Sequence, residues 1–127
     1  DPMSQDCLFC QIGADRILWS NDRVVVVADD FPVSQGHRLV LTRRHIGSFF
    51  EATEAERASI SEALEAAKAQ VEQDYRPDAY NIGINDGPAA GQTIPHLHVH
   101  LIPRYHGDSA DPRGGVRWVR PETARYW

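Results

Sequence analysis

The sequence predicts an α+β fold: a five-stranded antiparallel sheet with one long helix and a short N-terminal helix, in a single domain of 127 residues. Three observations carry this reading. Five short stretches are β-branched and aromatic, or alternate apolar with polar residues, as strands do. One segment between the third and fourth stretches opens with a capping box and keeps apolar residues at helical spacing. In the last stretch, 92–102, His96, His98 and His100 alternate with Leu97, Val99 and Leu101. That is the period-two pattern of a strand with one wet face and one buried face.

In chain order, Asp1 and Pro2 ahead of Met3 read as an expression remnant. Residues 6–13 fit a short helical turn capped by Asp6 and stopped by Gly13, with Leu8, Phe9 and Ile12 on one apolar side. Residues 17–19 and 23–28 form a hairpin across the turn-forming Ser20, Asn21 and Asp22. The valine run 24–27 has little polar alternation, which predicts a strand covered on both faces. A loop over 29–36 leads to a third strand, 37–42. Asp29 sits where a buried strand empties into that loop, a position suited either to a ligand hydroxyl or to plain solvation. Thr53 and Glu56 make the capping box, and Ile60, Leu64, Ala67 and Val71 give a narrow apolar stripe that ends near Pro77. Residues 80–85 are the fourth strand. A glycine-bearing loop, 85–91, of a kind able to aim backbone N–H groups at an anion, turns back into the histidine strand. The tail, 104–127, carries five arginines among aromatics and either folds over the site or makes a dimer contact.

The formal charge of -5 argues against a broad nucleic-acid grip, which needs a basic surface. It leaves room for a small phosphorylated ligand held by amides, hydroxyls and imidazoles. No apolar run approaches membrane-spanning length and no signal-peptide core is present, so a cytoplasmic protein is expected. Cys7 and Cys10 form a C-x-x-C pair. In a reducing compartment this leaves a metal half-site, a redox pair or two core residues.

Alternate residues on a strand lie roughly 6.5–7 Å apart at Cα, so two neighbouring imidazoles can converge on one atom while the outer two cannot easily do so. One reading is a metal site built on an H-x-H pair. The other is a nucleophilic histidine with helpers, which needs a neutral imidazole whose far nitrogen is pinned by a hydrogen bond. The neighbouring glycine loop, Gln92 and Thr93 would supply donors to phosphate oxygens.

The run from His96 to Ile102 resembles the H-φ-H-φ-H-φ-φ signature of the histidine triad family. The Cys7–Ile12 opening, the stretch from Asp29 to His45, and the Asn85–Gly87 and Gly91–Thr93 segments are similar to the family as well. The resemblance implies an α+β fold that usually forms a homodimer through a sheet extended across the two-fold. It also implies a nucleotidyl hydrolase or transferase acting at an α-phosphate. His98 matches the nucleophile that forms a nucleotidyl-histidine, and His100 the histidine that contacts phosphate and helps the leaving group. Asn85, Gln92 and Thr93 match residues on phosphate oxygens, and Asp29 the residue on the ribose hydroxyls. Phe9, Ile12, Val27 and Leu39 fall in the base pocket, and His37 matches a histidine supporting the triad. Members with a C-x-x-C start hold structural zinc, which places Cys7, Cys10, His45 and His96 as its ligands.

The 86–93 loop resembles the branch that hydrolyses diadenosine polyphosphates, whereas the Cys-Leu-Phe-Cys opening and Asn85 resemble the nucleoside-phosphoramidase branch. The tail is similar to bacterial members of unassigned substrate. The expectation is a cytoplasmic, homodimeric hydrolase of adenosine dinucleoside polyphosphates or adenosine phosphoramidates. Its alternatives are a non-catalytic nucleotide sensor and a zinc-dependent hydrolase that uses the triad as ligands. Removal of adenylate from nucleic-acid ends fits poorly with the charge and with the absence of an appended nucleic-acid-binding module.

Overall fold

The computed structural model describes residues 6–127, so the remnant proposed at Asp1 and Pro2 lies outside it. Five strands, β1 (Ile17–Ser20), β2 (Val24–Ala28), β3 (Arg38–Thr42), β4 (Ala79–Gly83) and β5 (His98–Arg104), form one antiparallel sheet in the order β1-β2-β3-β5-β4. Helix α1 (Glu54–Tyr75) crosses one face, and a short helix α2 (Pro121–Ala124) lies in the tail.

The valine run explains why both sheet faces are dry at β2. Val24 and Val26 point to α1 and join Val40, Leu97, Val99, Leu101, Ile60, Ala63 and Ala67 in the main core. Val25 and Val27 point the other way, onto Leu39, Leu41, Phe9, Ile12 and Ile17. Each fully buried valine contributes on the order of 1.5–3 kcal/mol. Register then places the histidines. Leu41 pairs with His98 and Leu39 with His100, so both rings rise from the face opposite α1.

The capping box forms as its spacing predicts. Thr53 Oγ1 accepts the Glu56 N–H at 3.0 Å, and Glu56 Oε1 accepts the Thr53 N–H at 2.9 Å. Glu56 also receives Arg44 at 2.6 Å, which holds its carboxyl below the usual carboxylate range. The buried stripe runs through Ile60, Ala63, Ala67 and Val71, with Leu64 only at its margin, because the small alanines let the helix sit close to the sheet. Arg76, in the left-handed region at φ 53°, and Pro77 end the helix.

The sequence reading needs three corrections, and one of its two alternatives for the tail falls away. Residues 6–13 form turns and no helix; the first helical element is a 3-10 turn at Ala14–Arg16. The Cys7 and Cys10 thiols close on a common point, which a tight turn allows. β4 stops at Gly83, leaving Asn85 in the loop. β5 begins at His98, so His96 precedes the ladder. The tail does not fold over the histidines. It packs beside β4, Arg113 lying 4.6 Å above the Trp127 ring and the Trp118 indole N–H donating to the Arg113 carbonyl at 2.8 Å. No helix among the described residues is long and apolar enough to cross a membrane.

The 29–37 loop is closed by backbone bonds between Asp29 and His37 and between His37 and Ser34, and by the Phe31 N–H on Asp29 Oδ1 at 2.8 Å. It delivers His37 through Gly36, whose φ of +86° no other residue adopts readily and whose missing Cβ would meet Tyr75 at 3.0 Å and Val71 at 3.1 Å. Gly36→Ala is therefore expected to destabilise the fold by about 1–3 kcal/mol, measured by urea unfolding.

Candidate active site and metal centre

Two clusters meet at the start of β5. In the first, Cys7 Sγ lies 3.4 Å from His96 Nδ1, and Cys10 Sγ lies 3.4 Å from the same nitrogen and 3.1 Å from His45 Nδ1. The four donor atoms all fall within 4.8 Å of one another. Sulfur and nitrogen bound to one tetrahedral zinc sit about 3.5–3.6 Å apart, given Zn–S near 2.3 Å and Zn–N near 2.0–2.1 Å. The His96 tautomer suits that use. Its Nε2–H donates to the Thr42 carbonyl at 2.7 Å, leaving Nδ1 with its lone pair toward the thiols. Burial, and then Cys7, push the Cys10 thiol up, and burial pulls the His96 imidazole down. A divalent cation would draw out the thiolates that burial disfavours. The donor set and its spacing fit structural zinc.

The second cluster is the histidine pair on the open face. A carbonyl only accepts, so the contact of His98 Nδ1 with the His96 carbonyl at 2.8 Å puts the proton on Nδ1 and the lone pair on Nε2. His100 is set the opposite way by a longer chain. The Val33 N–H donates to His37 Nδ1 at 3.1 Å, so neutral His37 carries its proton on Nε2, 2.9 Å from His100 Nδ1. His100 then presents an Nε2–H donor. Asp29 Oδ2 lies 3.4 Å from His37 Nε2 and 4.0 Å from His100 Nδ1. Burial lowers the His37 imidazole, partly offset by Asp29. Burial also lowers His100, aided by the His98 and His37 rings. His98 Nε2 is thus placed to give an electron pair and His100 Nε2–H to give a hydrogen bond.

A cavity of about 440 Å³ joins these rings to an apolar slab of Phe9, Ile12, Val27 and Leu39, with Asp29, Asn85 and Thr93 around it. The sequence reading missed Arg16, Asp30, Phe31, Leu8 and Ile94, which also line it. The sequence marks Leu8 only as apolar, on one side with Phe9 and Ile12, and no spacing marks the other four, because they come from turns and loops. Arg16 is the one Lys or Arg in the lining, and it pairs with Asp30 at 2.7 Å.

The glycine loop differs from expectation. The amides of Ala90, Gly91 and Gln92 bond to carbonyls of Gly87 and Pro88, closing a 3-10 turn at Pro88–Ala90. The Gln92 side chain receives the Gly87 N–H at 2.8 Å and donates to the Gly47 and Ile94 carbonyls at 2.9 and 3.1 Å. With both amide hydrogens engaged, it staples the loop, and it does not line the cavity. The donor atoms of the three triad rings are not gathered on one point: among the described residues, no group of three clustered donors includes His98.

Residues 13–107 match the family described as the HIT domain. An uncharacterized HIT-like protein of Saccharolobus solfataricus is 37% identical over 106 residues, spanning 80% of this chain and 76% of its own. The asymmetrical bis(5'-nucleosyl)-tetraphosphatase of Schizosaccharomyces pombe is 36% identical over 80 residues, 63% of this chain and 44% of that protein. The crystal structure of a Zn-bound histidine triad family protein from Mycobacterium smegmatis superposes with a TM-score of 0.73 at 28% identity, covering 93% of each chain.

Nitrogen-15 NMR at neutral pH is expected to show opposite tautomers on adjacent strand positions, Nδ1–H for His98 and Nε2–H for His100. Because the His37 and His100 pKa values are depressed, both should stay neutral below pH 6.5, where a free imidazole is half protonated. Like tautomers on the two rings would overturn the assignment of donor and acceptor.

Proposed function

The chain belongs to the histidine triad (HIT) family, and from that premise we propose that it is a nucleotidyl hydrolase working through a covalent nucleotidyl-histidine on His98. Its substrates are adenosine dinucleoside polyphosphates or adenosine phosphoramidates, cleaved at the α-phosphate. The observation that carries this reading is the Nδ1–H of His98 on the His96 carbonyl, which leaves Nε2 as a nucleophile facing the cavity. The tetraphosphatase relative names a reaction of the same class.

His98 Nε2 forms a bond to phosphorus while the bond to the leaving oxygen or nitrogen breaks and takes its electron pair with it. The His96 carbonyl, already on Nδ1–H, stabilises the positive charge that develops on the ring. His100 Nε2–H, Asn85 and Thr93 bond to the phosphate oxygens and the departing atom. Water then forms a P–O bond, the P–N bond returns its pair to His98, and the proton is released to solvent. Asp29 takes the ribose hydroxyls, and the base lies between Phe9, Ile12, Val27 and Leu39. Cys7, Cys10, His45 and His96 would hold zinc in a structural role, since four protein donors would leave no open position for chemistry. The chain works as a homodimer; β4 is an edge strand whose Ile82 is 53% exposed, a surface that pairing would cover.

His98→Ala is expected to lower turnover by at least about 1,000-fold while nucleotide binding survives. Intact-mass spectrometry of wild type mixed with a diadenosine polyphosphate and with an adenosine phosphoramidate should show an adenylate adduct absent from the variant. Near-normal turnover by His98→Ala removes the nucleophile assignment. Binding of nucleoside monophosphate with no turnover of either substrate selects the sensor reading instead. His96→Ala should lose zinc and melt earlier, and an unchanged zinc-to-protein ratio would refute its role as ligand.

A further inference from the structure

Cys7 and Cys10 bracket two residues of the cavity wall. Leu8 and Phe9 both line the cavity, while the thiols on either side turn to His45 and His96. Residues 6–13 join no strand and no helix, so no ladder holds this wall. The thiol–imidazole cluster on one side and the packing of Phe9 and Ile12 on Val25, Val27, Leu39 and Leu41 on the other both help to position it.

Two short paths run from this cluster to the reacting ring. The first is Phe9, whose ring meets His98 edge-on at 5.1 Å between centroids and His96 at 6.0 Å. The second is His96 itself. Its ring faces the thiols, and its carbonyl oxygen takes the His98 Nδ1 proton at 2.8 Å. Drawing the four donors together at one cation therefore restricts a wall of the nucleotide cavity and the residue that orients the nucleophile. Without the cation only thiol–imidazole hydrogen bonds tie Cys7 and Cys10 to His45 and to His96, which itself stays on the Thr42 carbonyl, and the wall gains freedom that a nucleotide must remove on binding.

We propose that metal binding at Cys7, Cys10, His45 and His96 and nucleotide binding in the cavity are energetically coupled, with Phe9 as the main positioning residue between them. The inference rests on the nucleotide-binding reading above. Metal-loaded protein binds a nucleoside monophosphate more tightly than stripped protein, and the bound nucleotide strengthens metal retention by the same factor, since such coupling is reciprocal. A factor of about 10 is expected, within the usual span of coupling between two sites.

The test uses the full chain, Zn²⁺ and AMP. Zinc affinity is measured by competition with a chromophoric chelator, with and without saturating AMP, and AMP affinity by calorimetry on loaded and stripped protein. Wild type should show about 10-fold tighter zinc binding with AMP and the same factor for AMP with zinc. Phe9→Ala should still bind one zinc per chain, with the coupling reduced below about 2-fold when AMP is raised to saturate it. Should stripped protein unfold, zinc release from loaded protein gives an equivalent readout: AMP slows it about 10-fold in wild type and not in Phe9→Ala. AMP that binds but leaves zinc affinity and release unchanged overturns the coupling alone. Full coupling in Phe9→Ala overturns the role of Phe9. Loaded protein that binds no AMP sinks the nucleotide reading and this inference with it.

Discussion

The peptide at His96 is held on every side, and the rest of the site depends on it. The residue is fully buried. Its N–H bonds to the Ile94 carbonyl at 2.8 Å, its Nε2–H to the Thr42 carbonyl, its Nδ1 faces two thiols, and its own carbonyl takes the His98 proton. This is possible because β5 begins two residues later. Within an antiparallel ladder the same carbonyl could be taken by a neighbouring strand. Outside it, the oxygen is free to orient a side chain. Leaving any of these buried groups unpaired would cost about 1–3 kcal/mol, so the thiol–imidazole cluster, the strand start and the orientation of the His98 ring stand or fall together.

A second constraint is charge. The chain is acidic, with a net charge of -5, and the cavity's single arginine already serves Asp30. An anionic ligand therefore gains little from long-range attraction and relies on short, directed hydrogen bonds. The buried imidazoles suit that task while neutral. Burial lowers His37 and His100, and a backbone amide at Val33, which can only donate, sets the proton positions along the chain to His100. Tautomers fixed by backbone groups need no reorganisation when charge develops on the ligand.

The tail has a different logic. Arg113, Arg117 and Arg125 stack over Trp127, Tyr126 and Trp118, and Ala124 is buried beneath them. Cation–π contacts of this kind let arginines cover aromatic surface that a short, strand-free segment has no sheet to bury. Together with Asn81, Ile102 and Arg104, the tail borders a cavity of about 560 Å³, apart from the histidine cavity. The two share no lining residue, and the tail leaves the histidine face open.

Periodicity in the sequence determined the five strands, the long helix with its capping box, and the common face of His98 and His100, because alternation and i,i+4 spacing are local properties of a chain. The H-φ-H-φ-H signature likewise pointed to the family. Pattern could not show that the 85–91 loop turns its amides inward or that Gln92 bonds to Gly47 and Ile94. The hydrogen bonds of such groups are assigned only when distant backbone arrives. The C-x-x-C pair was ambiguous for the same reason: His45 and His96 lie 35 and 86 residues from Cys10. Arg16 and Asp30 carried no signal at all. Residue types and spacing determine which chemistry is available to this protein. Which nitrogen holds the proton and which carbonyl stands free are decided by long-range packing, because a hydrogen bond depends on what the fold brings to within about 3 Å.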